Sequence, residues 1–285
     1  MTNYTLMRFP GFKRKAVTFS YDDGVKQDAR LMSVFDKYGL KGTFNLNAGY
    51  LYEPSGNRMG VDEAVALYKD SGHEVAIHGY NHLSLTEVDR AIATDDIAQD
   101  RRALEKLFGR VIKGMAYANG AYDDSVVEIL KNCGVNYART TLQTECFDMT
   151  SDWLKMPTTC HHKNPKLMQL AKAFVEAETN PQRYKWQIKP MLFFVWGHAY
   201  EFDNDDNWEV IEEFAKYISG KDDIWYATNG EIYEYAKAYE RLEFSIDGRY
   251  IYNPSAIDLY IVTPYLEQIK IKAGERVRAR YPERE

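Results

Sequence analysis

The sequence predicts an α/β fold whose parallel strands close, or nearly close, into a barrel with helices outside. Three observations point there. Short apolar runs alternate with stretches of helical periodicity through most of the chain, and that order implies parallel strands with helices on the outer face. There are about seven such units, for which a barrel is the economical arrangement. The length of 285 residues also suits a single α/β barrel.

Residues 16–20 are β-branched and aromatic and read as the first strand. Leu31, Val34, Phe35 and Tyr38 then fall at helical spacing, and Gly39 stands where that helix ends. Gly42–Leu46 is the second strand, a helix over about 61–71 stops at Gly72, and Glu74–Ile77 is the third strand. Ser84 and Glu87 have capping-box spacing, so the next helix is expected from there to Phe108, ahead of Gly109. Residues 112–116 form a fourth strand, Asp124–Asn132 a helix and 135–138 a fifth strand. Residues 141–190, rich in Thr, Lys and Pro, read as irregular. Residues 191–196 are the most apolar strand, Trp208–Ile218 a helix and 224–227 the last core strand. Residues 242–277 break the alternation, with turns at Asp247-Gly248, Asn253-Pro254 and Ala273-Gly274. The expected division is a barrel over 1–238 and a small β extension over 239–285 packed on it.

Lys and Arg number 36 against 42 Asp and Glu, a formal net charge of -6. That balance argues against nucleic acid as the main partner, because phosphate binding needs surplus basic surface. Tyr numbers 22, more than the 13 Phe and 5 Trp together, and a ring with a polar tip suits a partly wet cleft as well as a core. Three cysteines, Cys133, Cys146 and Cys160, make no disulfide framework. The N-terminal segment holds no apolar run of signal-peptide length, and the longest apolar stretch, 191–196, is far too short to cross a membrane. The expectation is a soluble cytoplasmic protein with no membrane partner.

In a parallel barrel the active site forms at the C-terminal ends of the strands. Asp22, Asp23 and Gly24 follow the first strand, and His78 and His82 follow the third. Ala118-Asn119-Gly120 follow the fourth, Arg139 ends the fifth and His198 follows the apolar strand. Two His and one carboxylate make a catalytic metal set that leaves a position open for water. Zn2+ fits it, and Co2+, Ni2+ and Fe2+ accept the same donors. A lone His-x-x-x-His is weak, and Asp-Gly is a common turn; their convergence on one rim carries the reading. Neighbouring side chains of an extended segment point different ways, so one Asp can ligate metal while the other accepts a proton.

These residues resemble a known family. Thr18-Phe19-Ser20-Tyr21-Asp22-Asp23-Gly24 is similar to the first motif of the polysaccharide deacetylases, the NodB-homology group of carbohydrate esterase family four. His78-Gly79-Tyr80-Asn81-His82 resembles the second motif, Gly72-His73-Glu74-Val75 its lead-in, and Trp196-Gly197-His198 the fifth. Order and spacing agree over about residues 15–230. The resemblance implies a distorted (β/α) barrel and a hydrolase that removes acetyl groups from carbohydrate with a divalent metal. By position it implies Asp23, His78 and His82 as metal ligands, Asp22 as general base and His198 as general acid. It also implies the Asn119 backbone N–H as oxyanion donor.

Two departures matter. The third motif usually opens on Arg, where this chain has Ala116; Arg139 is expected to supply the missing charge. The fourth motif, within 148–153, has one residue too many, so only Asp152 and Trp153 align. Cys160-His161-His162 is expected to be a loop near the rim in preference to a second metal site. Tyr80, Trp153, Asp152, His162, Tyr200 and Glu201 are expected at the sugar, and Trp196 in the core. The expected partner is an acetylated carbohydrate. An O-acetyl esterase, an amidohydrolase, a non-catalytic sugar-binding protein and a two-carboxylate glycosidase stay open beside it.

Overall fold

A computed structural model describes residues 4–177 and 189–280. After a short strand β1 (Met7–Arg8), the chain alternates as its apolar runs do. The elements are β2 (Lys15–Asp22), α1 (Asp28–Lys37), β3 (Gly42–Leu46), α2 (Ala48–Tyr52), α3 (Val61–Tyr68), β4 (Glu74–Ile77), α4 (Arg90–Phe108), β5 (Gly114–Ala116), α5 (Asp124–Asn132) and β6 (Tyr137–Gln143). Then come β7 (Met156–Thr158), β8 (Cys160–His161), α6 (Leu167–Glu176), β9 (Met191–Gly197), α7 (Tyr200–Asn204), α8 (Trp208–Ile218), β10 (Ile224–Tyr226) and α9 (Asn229–Glu240). The remaining strands are β11 (Glu243–Phe244), β12 (Tyr250–Tyr252), β13 (Leu259–Val262), β14 (Gln268–Ile271) and β15 (Arg276–Arg278).

The main sheet runs β7-β6-β5-β4-β3-β2-β9-β8, and every pair is parallel. β7 and β8 are two halves of one stretch, 156–161. The first half pairs with β6 and the second with β9, and Thr159 N between them donates to Phe194 O at 2.9 Å. The sheet therefore returns on itself as a nearly closed barrel. β10 pairs with the first residues of β2, and β3 with the last four.

All eight residues of β2 are buried, as a strand covered on both faces requires. Val17, Phe19 and Tyr21 pack outward on the helices, with the Phe19 and Phe35 ring centroids 4.5 Å apart. Alternation turns Ala16, Thr18, Ser20 and Asp22 to the interior. Much of that interior is polar. At its lower end the N-terminus of α9 enters the barrel: Asn229 N donates to Thr43 Oγ1 (2.9 Å) and Gly230 N to Glu74 Oε2 (2.8 Å). A Cβ on Gly230 would lie 2.5 Å from Glu74 Oε1, so a larger residue would have to displace that carboxylate. Tyr137 donates to the other Glu74 oxygen. Burial nonetheless pushes the Glu74 carboxyl up to about 7.

The structure revises several boundaries. The long helix starts at Arg90, where Asp89 caps it by accepting from Ala91 N at 2.9 Å. Ser84 only closes a turn with Glu87. The fifth strand is Tyr137–Gln143 and the fourth Gly114–Ala116. Part of the stretch expected to be irregular folds into β7, β8 and α6, because Cys160–His161 pairs with β9; residues 178–188 lie outside the described residues. The β extension forms two antiparallel three-stranded sheets, β1-β13-β14 and β11-β12-β15. β1 reaches it from the other end of the chain, and Tyr4, Met7 and Phe9 share its core with Tyr235, Leu259 and Ile261. The three cysteines are free. No described helix is long and apolar enough to cross a membrane.

Glu74 makes the stability of the fold depend on pH. Its folded pKa lies above the unfolded value, so the folded state holds the extra proton and stability falls as pH rises from about 4.5 to about 7. Thermal melts of Glu74→Gln across that range should show a shallower decline than the parent protein.

Candidate active site

Asp22 ends β2 on the interior face and is 2% exposed. On the neighbouring strand β3, Asn45 Nδ2 donates to Asp22 Oδ1 at 2.8 Å. From β6, Arg139 Nη2 donates to Asp22 Oδ2 and Nε to Ser20 Oγ at 3.1 Å. The guanidinium lies 4.5 Å over the Trp196 ring. Burial alone would raise the Asp22 carboxyl, but Arg139, His78 and His198 outweigh it and hold the group down at about 2. The geometry thus brings Arg139 to the place expected for it, although Arg139 and the Ala116 that vacates the motif lie on neighbouring strands.

Asp23 turns away from the strand with φ +90°, and His82 and Asn119 also have positive φ (+56° and +55°). Non-glycine residues in that region cost about 1–3 kcal/mol each, and such strain clusters at functional sites. His78 Nδ1 lies 2.8 Å from Ala116 O; as donor it fixes the tautomer and leaves Nε2 with a lone pair. Asp23 Oδ1 stands 3.7 Å from His78 Nε2 and 3.5 Å from His82 Nε2. The three ligand atoms lie within 4.8 Å of one another, and Asp23 Oδ1 is buried with no hydrogen-bond partner, only the Arg58 guanidinium 3.2 Å away as counter-charge. Two imidazole nitrogens and one unbonded carboxylate oxygen fit a divalent ion of the zinc type.

The turn that carries these histidines is held from behind by α4. Asp100 accepts from His78 N (3.0 Å) and Ala48 N (2.7 Å), and Asp96 accepts from Asn81 N (2.9 Å). A Cβ on Gly79, at φ +83°, would meet Asp96 Oδ2 at 2.7 Å.

His198 follows β9, with Nε2 3.9 Å from Asp22 Oδ2. Its Nδ1 lies 3.1 Å from Glu201 Oε2, which also accepts from His198 N. Burial lowers the His198 pKa, but the Glu201 hydrogen bond and the Asp22 and Asp23 charges raise it further, so the net shift favours the imidazolium. His161 Nε2 stands 3.2 Å and His162 Nε2 3.4 Å from the same carboxylate oxygen. His161, His162 and Glu201 therefore form a second group of metal-capable spacing. His161 Nδ1 accepts from Lys163 N at 3.1 Å, which leaves the proton on Nε2. That tautomer makes His161 a donor to Glu201 in preference to a ligand.

Of the residues expected at the sugar, Tyr200 is placed beside the site, its ring 5.2 Å from His198. Glu201 is there too, bonded to His198. His162, Asp152 and Trp153 need correction. His162 is 2% exposed and stacked between Tyr21 and Phe202, so it lies behind the site. Asp152 and Trp153 precede β7 at the opposite end of the barrel; Asp152 caps a turn and Trp153 packs edge-on against Tyr233. Tyr80 lies against Gly49, where a Cβ would be 2.4 Å from its carbonyl. Trp196 is 9% exposed and supports Arg139. Asn119 sits in the turn after β5, its amide donating to Ser84 Oγ at 3.0 Å. The sequence reading missed Arg58, which bonds Asp23, and Asn45, which bonds Asp22. Asn45 lies at the end of a strand and was legible by the same rule as Asp22. Nothing in the sequence marks Arg58.

Comparison with known proteins agrees with this geometry. Residues 10–138 match the family described as Polysaccharide deacetylase. That segment carries Asp22, Asp23, His78, His82 and Asn119. A Mycobacterium smegmatis protein assigned to the polysaccharide deacetylases shares the fold. Its crystal structure aligns over 82% of this chain and 94% of its own, with TM-score 0.59 and 18% identity. A family 4 carbohydrate esterase from Streptomyces lividans, in complex with acetate, aligns over 75% of this chain and 92% of its own, with TM-score 0.49 and 16% identity. A family 4 pseudoenzyme from Bacillus anthracis aligns over 80% and 68%, with TM-score 0.49 and 16% identity. No curated protein matches the chain.

Removing one member of a buried ion pair strands the other, at a cost of about 3–5 kcal/mol. Arg139→Met should lower the urea midpoint accordingly, and Asp22→Asn in the same chain should recover part of the loss.

Proposed function

We propose that this chain is a metal-dependent deacetylase that hydrolyses the acetyl group of an N-acetylated sugar or short oligosaccharide. The observation that carries the reading is the placement of one carboxylate between two machineries. Asp22 Oδ2 lies 3.8 Å from His78 Nε2, in the ligand set, and 3.9 Å from His198 Nε2, the proton donor. Asp23, His78 and His82 would hold a divalent ion, zinc by preference, which would supply activation of water and polarisation of the acyl carbonyl when bound.

The chain's own residues handle the protons. Asp22, held well below the usual carboxylate range, stays ionised and accepts the proton of the attacking water. Arg139 and Asn45 keep both its oxygens aligned during that transfer. The Asn119 N–H is the oxyanion donor by its place in the third motif. His198 gives its Nε2 proton to the departing nitrogen, and Glu201 stabilises the imidazolium that holds that proton. An amide nitrogen leaves poorly without protonation, whereas an ester alcohol needs it less. The paired His198 and Glu201 therefore support N-deacetylation over O-deacetylation. Two intact proton-handling groups support a catalyst over a passive sugar binder.

Chelation should abolish acetate release from N-acetylated oligosaccharides, and added Zn2+ should restore it. Asp22→Asn should lower kcat about 10²–10⁴-fold with zinc content unchanged. Glu201→Gln removes the charge that raises the His198 pKa. The alkaline limb of its kcat profile should move to lower pH; an unmoved limb would free Glu201 of this role.

A further inference from the structure

Arg58 is held at the rim by three independent contacts. Its backbone bridges Val25, and Lys26 N and Met59 N close bonds across the same turn at 2.9 Å and 3.1 Å. Its guanidinium stacks 4.7 Å over the Tyr50 ring. Nη1 donates to Asp23 O and lies 3.2 Å from Asp23 Oδ1. Those contacts use one nitrogen. Nε and Nη2 have no hydrogen-bond partner among the described residues, and the side chain is 19% exposed. Arg139 differs: all three of its nitrogens are bonded and it is 1% exposed.

The charges around the cleft sharpen the contrast. Asp22 pairs with Arg139, Glu201 with His198 and Asp23 with Arg58. Lys163 also reaches Glu201 (3.8 Å) and Asp205 (2.6 Å), so four carboxylates face four cations, and a divalent ion on Asp23, His78 and His82 would add positive charge to that balance. Such a cleft attracts an anion. Holding Asp23 needs Nη1 alone, whereas Nε and Nη2 are the adjacent donors with which a guanidinium grips a carboxylate in two parallel bonds.

We propose that Arg58 forms an anion-binding position beside the metal ligands, and that the preferred substrate is an N-acetylated sugar bearing a carboxylate near its acetamido group. The substrate clause rests on the deacetylase reading; the anion site does not. Arg58 is then a specificity residue that touches substrate and takes no part in proton transfer.

Two measurements test this. In calorimetry, glucuronate should bind the protein with and without added zinc, more tightly than glucose does. Arg58→Met should weaken glucuronate binding about ten- to a hundredfold, the range of a charge-assisted hydrogen-bond pair, with Arg58→Lys in between. In turnover, kcat/KM should favour N-acetylmuramic acid over N-acetylglucosamine by about tenfold, a difference near 1.4 kcal/mol. Arg58→Met should collapse that ratio mainly through KM. Equal loss on both sugars would show Arg58 to be a strut for Asp23 and overturn the proposal. Glucuronate binding indifferent to Arg58→Met would overturn it as well. Glucuronate binding that depends on Arg58, with neither sugar hydrolysed, upholds the anion site and contradicts the deacetylase reading.

Discussion

The buried ion pair between Asp22 and Arg139 is the constraint around which the rest of the site is arranged. Both groups are almost wholly excluded from solvent. A carboxylate and a guanidinium taken out of water need excellent geometry and further hydrogen bonds to be tolerated. The chain meets that demand from several strands: Asn45 and Ser20 bond the pair and Trp196 supports the guanidinium. These partners come from different staves of the barrel, so the pair is correct only when the sheet has closed. The stretch 156–161 achieves that closure by pairing half with β6 and half with β9.

The same logic explains why the barrel interior is polar at both ends and the outer faces are apolar. Below, Glu74 and Thr43 accept the α9 N-terminus, whose N–H groups would otherwise be orphaned. Above, Asp96 and Asp100 accept backbone N–H groups of the histidine turn. Rigid acceptors on helix α4 thus position the ligands through the main chain. The left-handed Asp23, His82 and Asn119 are held in place by these surroundings. Glu201, three residues after His198, bonds its ring, while Asp152 of the fourth motif lies at the other end of the barrel.

Much of this was legible in the sequence because periodicity and strand ends obey local rules. β3, β4, α5 and α8 fall where the apolar pattern places them, and the candidate ligands Asp23, His78 and His82, read from strand ends, come within 4.8 Å of one another. Arg139 was reachable because it follows the apolar run 135–138, although it does not end its strand: β6 runs on to Gln143, and Arg139 pairs with Ala116 at the end of β5. The failures have one cause: contacts that depend on distant chain. β7 and β8 are two or three residues each and exist only because β6 and β9 flank them. β1 joins a sheet formed more than 250 residues later. Arg58 reaches Asp23 from a loop bridged to Val25, and no spacing rule encodes that. His162 was expected at the sugar from a loop near the rim, yet its ring turns inward onto Tyr21.

Anomalous diffraction from zinc-loaded crystals, recorded on either side of the zinc edge, tests the central claim most directly. The account predicts one ion bound by Asp23 Oδ1, His78 Nε2 and His82 Nε2, with Glu201 still bonded to His198 and no zinc among His161, His162 and Glu201. An ion held by that second group with the first left empty, or no ion at either, would contradict it.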